Sequence, residues 1–504
     1  MVGVLAVVAA VGAGQLVAGL VAPGSSPFFA VADTVIRLSP SWLTEFGKSL
    51  GPVLDKLLLQ VGVGAALLAL GAAAGLLSRR EHRRGVAVVV GLGLVAFAAV
   101  LFAPAFAPLN LLAPLVSIAV GVGSFRWLHG LASAAARTAG PPTDSGVSRR
   151  TVLAGAATGV GVAAVAAGAG GLALGRRVLD SRAQVTAMLR AARPAERAPA
   201  LPPFADFAQT GTPTFFTSNA DFYRIDVALR VPSVSASDWS LRLHGMVDNP
   251  ISLSFSDLMS RPLVERDITL TCVSNPVGGD LISTARFVGV ELRPLLLEAG
   301  IRPGADQMFS TSIDGWYTGT PTDVLLEPDR GALLAVGMNG EALPLEHGFP
   351  VRMVVPGLYG YVSATKWVVD LEATTFAAKQ GYWLQRGWAQ KAPIKTQSRI
   401  DVPSGFAQVP AGRVTVAGIA WAQPVGVGKV EVRIDGGPWQ AAELSAAVNP
   451  DTWRMWRTSF ELEPGLHQAT VRTTDARGVV QTQERADPIP DGASGWPVTA
   501  FTVT

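Results

Sequence analysis

Leu343-Pro344-Leu345-Glu346-His347-Gly348-Phe349-Pro350-Val351-Arg352, followed by Val355-Pro356-Gly357-Leu358-Tyr359-Gly360 and then Lys366-Trp367, is the stretch on which the reading of this chain turns. Alone it is a β-strand, 351–355, running into a glycine-bearing loop, with a Pro-Gly pair to end the strand. Such loops are common, and a single Gly-x-x-Gly says little. His347, Arg352 and Lys366 around it change the expectation, because backbone N–H donors and fixed cations together hold anionic groups. The plainer reading of Arg352 is an ion pair at a strand edge, since a buried charge needs a partner.

Working outward, the chain holds one cysteine, Cys272, in Thr269-Leu270-Thr271-Cys272-Val273-Ser274-Asn275-Pro276, where a strand meets a turn. A lone cysteine is most often a small buried hydrophobe. At a strand end it is also placed to point into a cleft. A hydrolase nucleophile would need a histidine and an orienting group nearby, and His347 is the only candidate, without an oxyanion-hole signature. A single thiolate could bind a soft metal if a cofactor supplied the remaining ligands. One cysteine excludes a disulfide framework and a cysteine-built zinc or iron–sulfur cluster, and five histidines leave little for a histidine cage.

The composition is far from that of an ordinary soluble protein: of 504 residues 49% are apolar and 16% charged, with a mean hydropathy of +0.35. Disorder is excluded by the same numbers. The net charge of +3 and pI near 9.1 do not signal nucleic acid, because many arginines flank apolar runs. A bilayer core of about 30 Å needs about 20 apolar helical residues. Runs 2–22, 57–78, 85–103 and 110–127 meet this, the last with Arg126 snorkelling at its end. A weaker Ala/Gly/Val run, 151–174, is a fifth candidate. Arg79, Arg80, Arg83 and Arg84 after the second run, and Arg137, Arg149 and Arg150 before the fifth, place both loops in the cytoplasm. With the N-terminus inside, five spans leave everything after residue 178 outside the membrane. Segment 24–56, with Trp42 and Lys48, becomes an outer loop lying partly on the lipid surface. Arg149-Arg150 before a weakly hydrophobic run is either positive-inside charge or a twin-arginine export signal.

The expected organisation is a membrane module over 1–178, an Ala/Arg/Pro-rich linker over 179–208, an α+β domain over 209–398 and an all-β immunoglobulin-like sandwich over 399–504. The α+β texture shows in strands such as 238–245 and 267–272 alternating with a helix at 292–299. Beyond Ser398 short alternating strands are expected at 414–421, 429–434, 439–444, 453–462, 468–473 and 479–484, with Asp435-Gly436-Gly437-Pro438 as a hairpin turn.

Four ordered blocks resemble the sulfite oxidase family of molybdopterin-dependent oxidoreductases, in a membrane-anchored bacterial member of actinobacterial type. Ser218-Asn219-Ala220-Asp221-Phe222-Tyr223-Arg224 is similar to the family segment that touches the pterin, which implies roles for Asn219, Phe222, Tyr223 and Arg224. Cys272, with Asn275 following, matches the molybdenum-ligating cysteine. Phe309-Ser310-Thr311 resembles a strand whose threonine contacts the cofactor in the bacterial reductase branch. The His347–Arg352 and Pro-Gly-x-x-Gly…Lys-Trp blocks match the pterin and phosphate region: the resemblance implies that Arg352 and Lys366 neutralise the phosphate while His347 and the backbone of Ser363–Thr365 form hydrogen bonds. The likeness covers about 209–398, and the sandwich resembles the family's dimerisation domain, which leaves room for a homodimer.

The resemblance implies a molybdenum–molybdopterin cofactor, with two dithiolene sulfurs and Cys272 on the metal, so one cysteine suffices. Insertion of that cofactor before export favours the twin-arginine reading. Departures limit the substrate: Pro276-Val277-Gly278-Gly279 after Asn275 carries no cation, and Ala335-Val336-Gly337-Met338-Asn339 carries no aromatic hydroxyl. They point away from efficient sulfite oxidation, toward a neutral substrate or a different oxyanion, with Trp316 and Tyr317 either walling the pocket or packing on the sandwich. No Cys-x-x-Cys-His occurs, and His82 and His129 each fall in a cytoplasmic loop or at a helix end, not paired within a span, so neither c-type nor membrane haem is expected. Electrons then pass through a separate cytochrome or quinone-linked partner. The competing expectation is a non-catalytic cell-surface protein built on a degenerate enzyme domain.

Overall fold

The apolar N-terminal runs fold as helices, in which the backbone satisfies its own hydrogen bonds within the segment. A computed structural model describes residues 1–21, 25–40, 43, 54–103, 108–137, 178–227 and 231–504. Its chain divides into two compact units, one of residues 1–180 with 227–233, the other of 181–226 with 234–504.

The first unit contains α1 (Val2–Val21), α2 (Pro27–Leu38), α3 (Leu54–Leu77), α4 (His82–Leu101) and α5 (Leu112–Arg137). Among the described residues four helices are long and apolar enough to cross a membrane: Val2–Leu20, Leu57–Leu77, His82–Leu101 and Pro108–Ser133. Small residues let them approach closely. A side chain at Gly3 would fall on the Gly71 carbonyl, and one at Gly85 would run into Phe125 and the Ala74 carbonyl. Polar groups are paired in place: Ser117 Oγ donates to the Ala10 carbonyl at 2.8 Å and Ser26 Oγ to Gln15 Oε1 at 2.6 Å. Part of the expected outer loop is helical, as α2, while Trp42 and Lys48 lie outside the described residues, as do the fifth run and Arg149-Arg150. His82 and His129, not expected to pair within a span, stand side by side on two different helices with ring centroids 4.5 Å apart. A helix–helix contact across 47 positions has no local sequence signal.

In the second unit one mixed and one antiparallel sheet form the α+β part. One runs β2 (Ile251–Ser254), β1 (Ser240–Gly245), β10 (Val368–Thr374), β5 (Gln307–Ser312), β6 (Tyr317–Pro321); the other runs β3 (Leu263–Thr271), β4 (Ile282–Glu291), β7 (Leu333–Met338), β8 (Glu341–Ala342), with β9 (Arg352–Val354) also paired to β7. The helix at Leu292–Ala299 forms as expected and ends on Gly300 in the left-handed region. Residues 179–208 are more than a linker: 181–191 are helical, Arg182 reaches the Ala342 and Leu343 carbonyls, and the Ala195 N–H donates to the Leu263 carbonyl at 2.7 Å.

The C-terminal part is β-rich. One sheet orders β11 (Gln397–Val402), β13 (Gly412–Trp421), β17 (Arg454–Leu462), β16 (Glu443–Leu444); the other orders β12 (Gln408–Val409), β19 (Val498–Val503), β18 (Gly465–Asp475), β14 (Val427–Ile434), β15 (Gln440–Ala441). Val416, Val430, Val432, Trp456, Val471 and Phe501 share one core. Asp435 and Gly436 both take positive φ between β14 and β15, as a tight hairpin turn requires. The expected strand 479–484 is corrected: beyond a bridge from Val480 to Thr474 it stays irregular, and the place beside β18 is taken by β19, unforeseen from the sequence. Gln481 explains this, since its side chain accepts from Ser398 Oγ and the Thr473 N–H and donates to the Gly495 carbonyl, which anchors the segment without a ladder.

Candidate functional site

Cys272 follows β3, whose pairing with β4 runs unbroken from Leu263↔Val290 to Thr271↔Ile282. Beyond it the chain folds back as a closed loop. The Cys272 N–H donates to the Leu281 carbonyl (3.0 Å), the Asn275 N–H to the Cys272 carbonyl (3.1 Å) and the Leu281 N–H to Asn275 Oδ1 (3.0 Å). Asn275 is therefore the staple of this loop. It holds the buried, disulfide-free Cys272 rigidly at the sheet end.

The segment 215–226 crosses the same sheet. The Thr217 N–H donates to the Thr284 carbonyl and the Tyr223 N–H to Ser283 Oγ. Asn219 is saturated by the β7–β8 turn: Nδ2 donates to Glu341 Oε1 at 2.6 Å, and Oδ1 accepts from Asn339 Nδ2 at 2.9 Å. Its side chain fixes the segment, and Phe222 is thereby set against His347, ring centroids 5.4 Å apart, across 125 positions of sequence. Tyr223 stacks on Phe222 at 5.5 Å. Burial raises the Tyr223 phenol well above its ordinary range, the Cys272 sulfur adds to this and the Arg352 charge opposes it. These three groups therefore share one neighbourhood.

The cations lie behind them. Arg352 is buried on β9; its Nη1 donates to the His347 carbonyl at 3.2 Å, its Nη2 reaches the Ala364 carbonyl at 3.5 Å, and its Nε has no partner. Among the described residues no carboxylate pairs with it. Burial pushes its pKa down to about 10. Lys366 Nζ donates to the Glu346 carbonyl (3.0 Å) and to buried Asp226 (3.2 Å), which also accepts from Arg224 Nε at 2.7 Å. Burial brings Lys366 down to about 8 despite Asp226. His347 falls to about 3, first by burial, then by the Arg352 and Lys366 charges, so it is a neutral imidazole. Gly348, at φ +109°, makes the crowding possible: a Cβ there would sit 3.0 Å from Arg352 Cβ and 3.2 Å from Lys366 Cα.

Other expected residues are placed differently. Ser363 Oγ donates to the Leu358 and Tyr359 carbonyls, and Thr365 Oγ1 shares a 2.7 Å bond with Ser310 Oγ, so both hydroxyls brace the loop. Thr311 sits on β5 opposite Asp370 and Tyr317. The Trp316 N–H donates to Asp314 Oδ1, and Tyr317 stacks on Phe309 and meets Tyr382 edge-on. That cluster continues through Trp383 and Trp388 to Tyr361. Sequence reasoning missed Asp226, which holds both Lys366 and Arg224; an aspartate two residues beyond Arg224 was the available signal. His244, Asp370 and Glu372 also cluster closely enough to hold a metal ion, but Arg242 and Lys379 already pair with the two carboxylates.

The donor set fits an anionic metal cofactor. It offers one rigidly held thiol, a neutral imidazole, and a buried guanidinium whose unused N–H and uncompensated charge call for an anion.

Comparisons agree with that chemistry. Residues 228–383 match the family model described as the oxidoreductase molybdopterin binding domain. The chain is 32% identical to sulfite oxidase of Gallus gallus over 301 residues, which is 50% of this chain and 64% of that protein. It is 31% identical over 179 residues to the uncharacterized oxidoreductase YuiH of Bacillus subtilis (strain 168), covering 36% of this chain and 81% of that one. It spans less than two thirds of the sulfite oxidases it matches. In fold it is similar to the sulfane dehydrogenase SoxCD from Paracoccus pantotrophus, with a TM-score of 0.51 at 21% identity, over 60% of this chain and 88% of that one.

Proposed function

From the sulfite oxidase family of molybdopterin-dependent oxidoreductases, to which this chain belongs, we propose that it is a membrane-anchored molybdenum enzyme of two-electron oxygen-atom transfer. The observation that carries this reading is Arg352, a buried guanidinium with no carboxylate partner among the described residues and an unused Nε. A protein keeps such a charge inside only if something anionic meets it. Bound there, the cofactor supplies a metal centre that exchanges two electrons and one oxygen atom with a small substrate.

In this reading Cys272 ligates the metal, held by the Asn275-stapled loop. Arg352, Lys366 and Arg224 carry the cofactor's negative charge, Asp226 keeps Lys366 protonated in place, and neutral His347 orients through hydrogen bonding. Asn219 and Phe222 fix the lead-in segment over the site. The loop after Asn275 lacks a cation, which favours a neutral oxo-substrate or an oxyanion other than sulfite.

Five spans, the four apolar helices and the weaker run 151–174, anchor the chain in lipid, the arginine-rich turn 79–84 faces the cytoplasm, and the chain after residue 178 works on the extracytoplasmic face. Arg149-Arg150 serves as a twin-arginine signal for the loaded domain, the β-rich part is an immunoglobulin-like sandwich that supports a homodimer, and a separate cytochrome or quinone-linked protein carries the electrons.

The test is metal and pterin analysis of the purified full-length protein together with Cys272→Ser. Near-stoichiometric molybdenum in the wild type, lost in the variant while the melting curve is kept, is the expected result. A metal-free wild type favours the non-catalytic reading instead. A redox-dye screen of the loaded enzyme with sulfite, S-oxides and N-oxides then identifies the substrate class.

A further inference from the structure

Three tyrosines stand near the Cys272 end of β3, and their hydroxyls are used differently. Tyr361 Oη donates to the Ala389 carbonyl at 2.5 Å. Tyr359 Oη accepts from the Lys395 N–H at 3.4 Å and is covered by Gly492. Tyr223 is tied down only through its backbone N–H, on Ser283; its hydroxyl has no hydrogen-bond partner among the described residues, and its side chain keeps partial access to open space. Gly360 places that hydroxyl. A Cβ there would be 3.4 Å from Tyr223 Oη and 3.7 Å from the carbonyl oxygen of Thr271, the residue before Cys272. Thr271 Oγ1 is a further buried oxygen without a partner at this spot. The hydroxyl is therefore neither spent within the described protein nor sealed off by it, and it can donate to whatever the site binds.

We propose that the Tyr223 hydroxyl is a catalytic hydrogen-bond donor to the oxygen atom that this site transfers. The inference rests on the oxygen-transfer reading and deepens it by naming the side chain that would meet the oxygen in transit, on the segment 215–226 beside the Cys272 end of β3. The donor is neutral, so it serves an oxo group without demanding a negatively charged substrate.

The experiment uses full-length, molybdenum-loaded protein in detergent, with dimethyl sulfoxide and sulfite as probes in dye-coupled turnover. Tyr223→Phe is expected to keep molybdenum and pterin at wild-type content and to lower kcat roughly 100-fold, the usual loss for one preorganised donor, with KM changed far less. It is also expected to abolish part of the solvent-exchangeable proton splitting that distinguishes the molybdenum EPR signals of reduced protein in H2O and D2O. Gly360→Ala adds a methyl at ordinary contact distance beside the hydroxyl and lowers kcat by a smaller factor; Tyr361→Phe, which loses only its Ala389 bond, keeps kcat. Unchanged splitting in Tyr223→Phe, unchanged kcat, an equal loss in Tyr361→Phe, or loss of molybdenum from Tyr223→Phe each overturns the proposal. A wild-type protein without molybdenum overturns the oxygen-transfer reading itself, and its EPR-silent state tells that failure apart.

Discussion

Two arginines on the same sheet of the second unit meet opposite fates. Arg286 on β4 is answered by Asp267 on the neighbouring β3, through two bonds of 2.7 and 2.8 Å, and the Asp267 carboxylate is almost fully buried. Arg352 on β9 is more deeply buried and, among the described residues, has only two backbone carbonyls and an idle Nε. Charge that is closed within the protein serves the fold, whereas charge left open serves a ligand, because desolvation is tolerated only where a partner repays it. The difference separates architecture from function within one β-sheet.

The comparison is sharpened most by Arg352→Met. Molybdenum content is expected to fall more than tenfold by elemental analysis, while the cofactor-free variant melts no lower than the cofactor-free wild type, since an uncompensated buried charge is removed. A variant that loses both cofactor and stability would place Arg352 with Arg286, as architecture. Asp267→Asn is the converse. It leaves the Arg286 guanidinium without its carboxylate and is expected to cost about 2–3 kcal/mol in denaturant unfolding, less than a fully buried pair because Arg286 is partly exposed. Molybdenum per folded molecule should not change.

A smaller effect is expected from pH. His347 has a folded pKa of about 3, below its ordinary 6.5, so between these values the unfolded chain binds a proton that the folded one does not. Stability contributed by the neutral ring is complete above pH 6.5 and is lost as pH falls toward 3. Between pH 7 and pH 5 the loss for cofactor-free protein is about 1–2 kcal/mol. His347→Gln should flatten that part of the pH–stability curve; an unaltered slope would show that neither the ring's burial nor the cations near it shift its titration.

Much of the site was legible because it is written in short motifs. The strand end at Cys272, the Arg352 strand, the helix over 292–299 and the apolar runs all depend on neighbours within a few residues. The roles of the two asparagines were not. Asn275 and Asn219 look like ligand contacts in a motif, yet one closes the Cys272 loop on Leu281 and the other fastens a crossing segment to Glu341 and Asn339. An amide side chain gives no clue in sequence to which carbonyl or N–H it will meet. Segment 479–484 alternates like a strand, but Gln481 commits its side chain to three other segments before any ladder forms.

By itself, then, the sequence determined where the chain is apolar enough for lipid, where strands and helices begin, and that a single thiol stands with a few cations as candidates for holding a metal cofactor. Tertiary structure alone decided which of those cations is left unanswered, that the Tyr223 hydroxyl is spare while those of Tyr359 and Tyr361 are spent, and that His82 stands beside His129. Local pattern follows from the two periodicities of helix and strand; partnership depends on contacts between residues far apart in the chain, whose geometry no local pattern encodes.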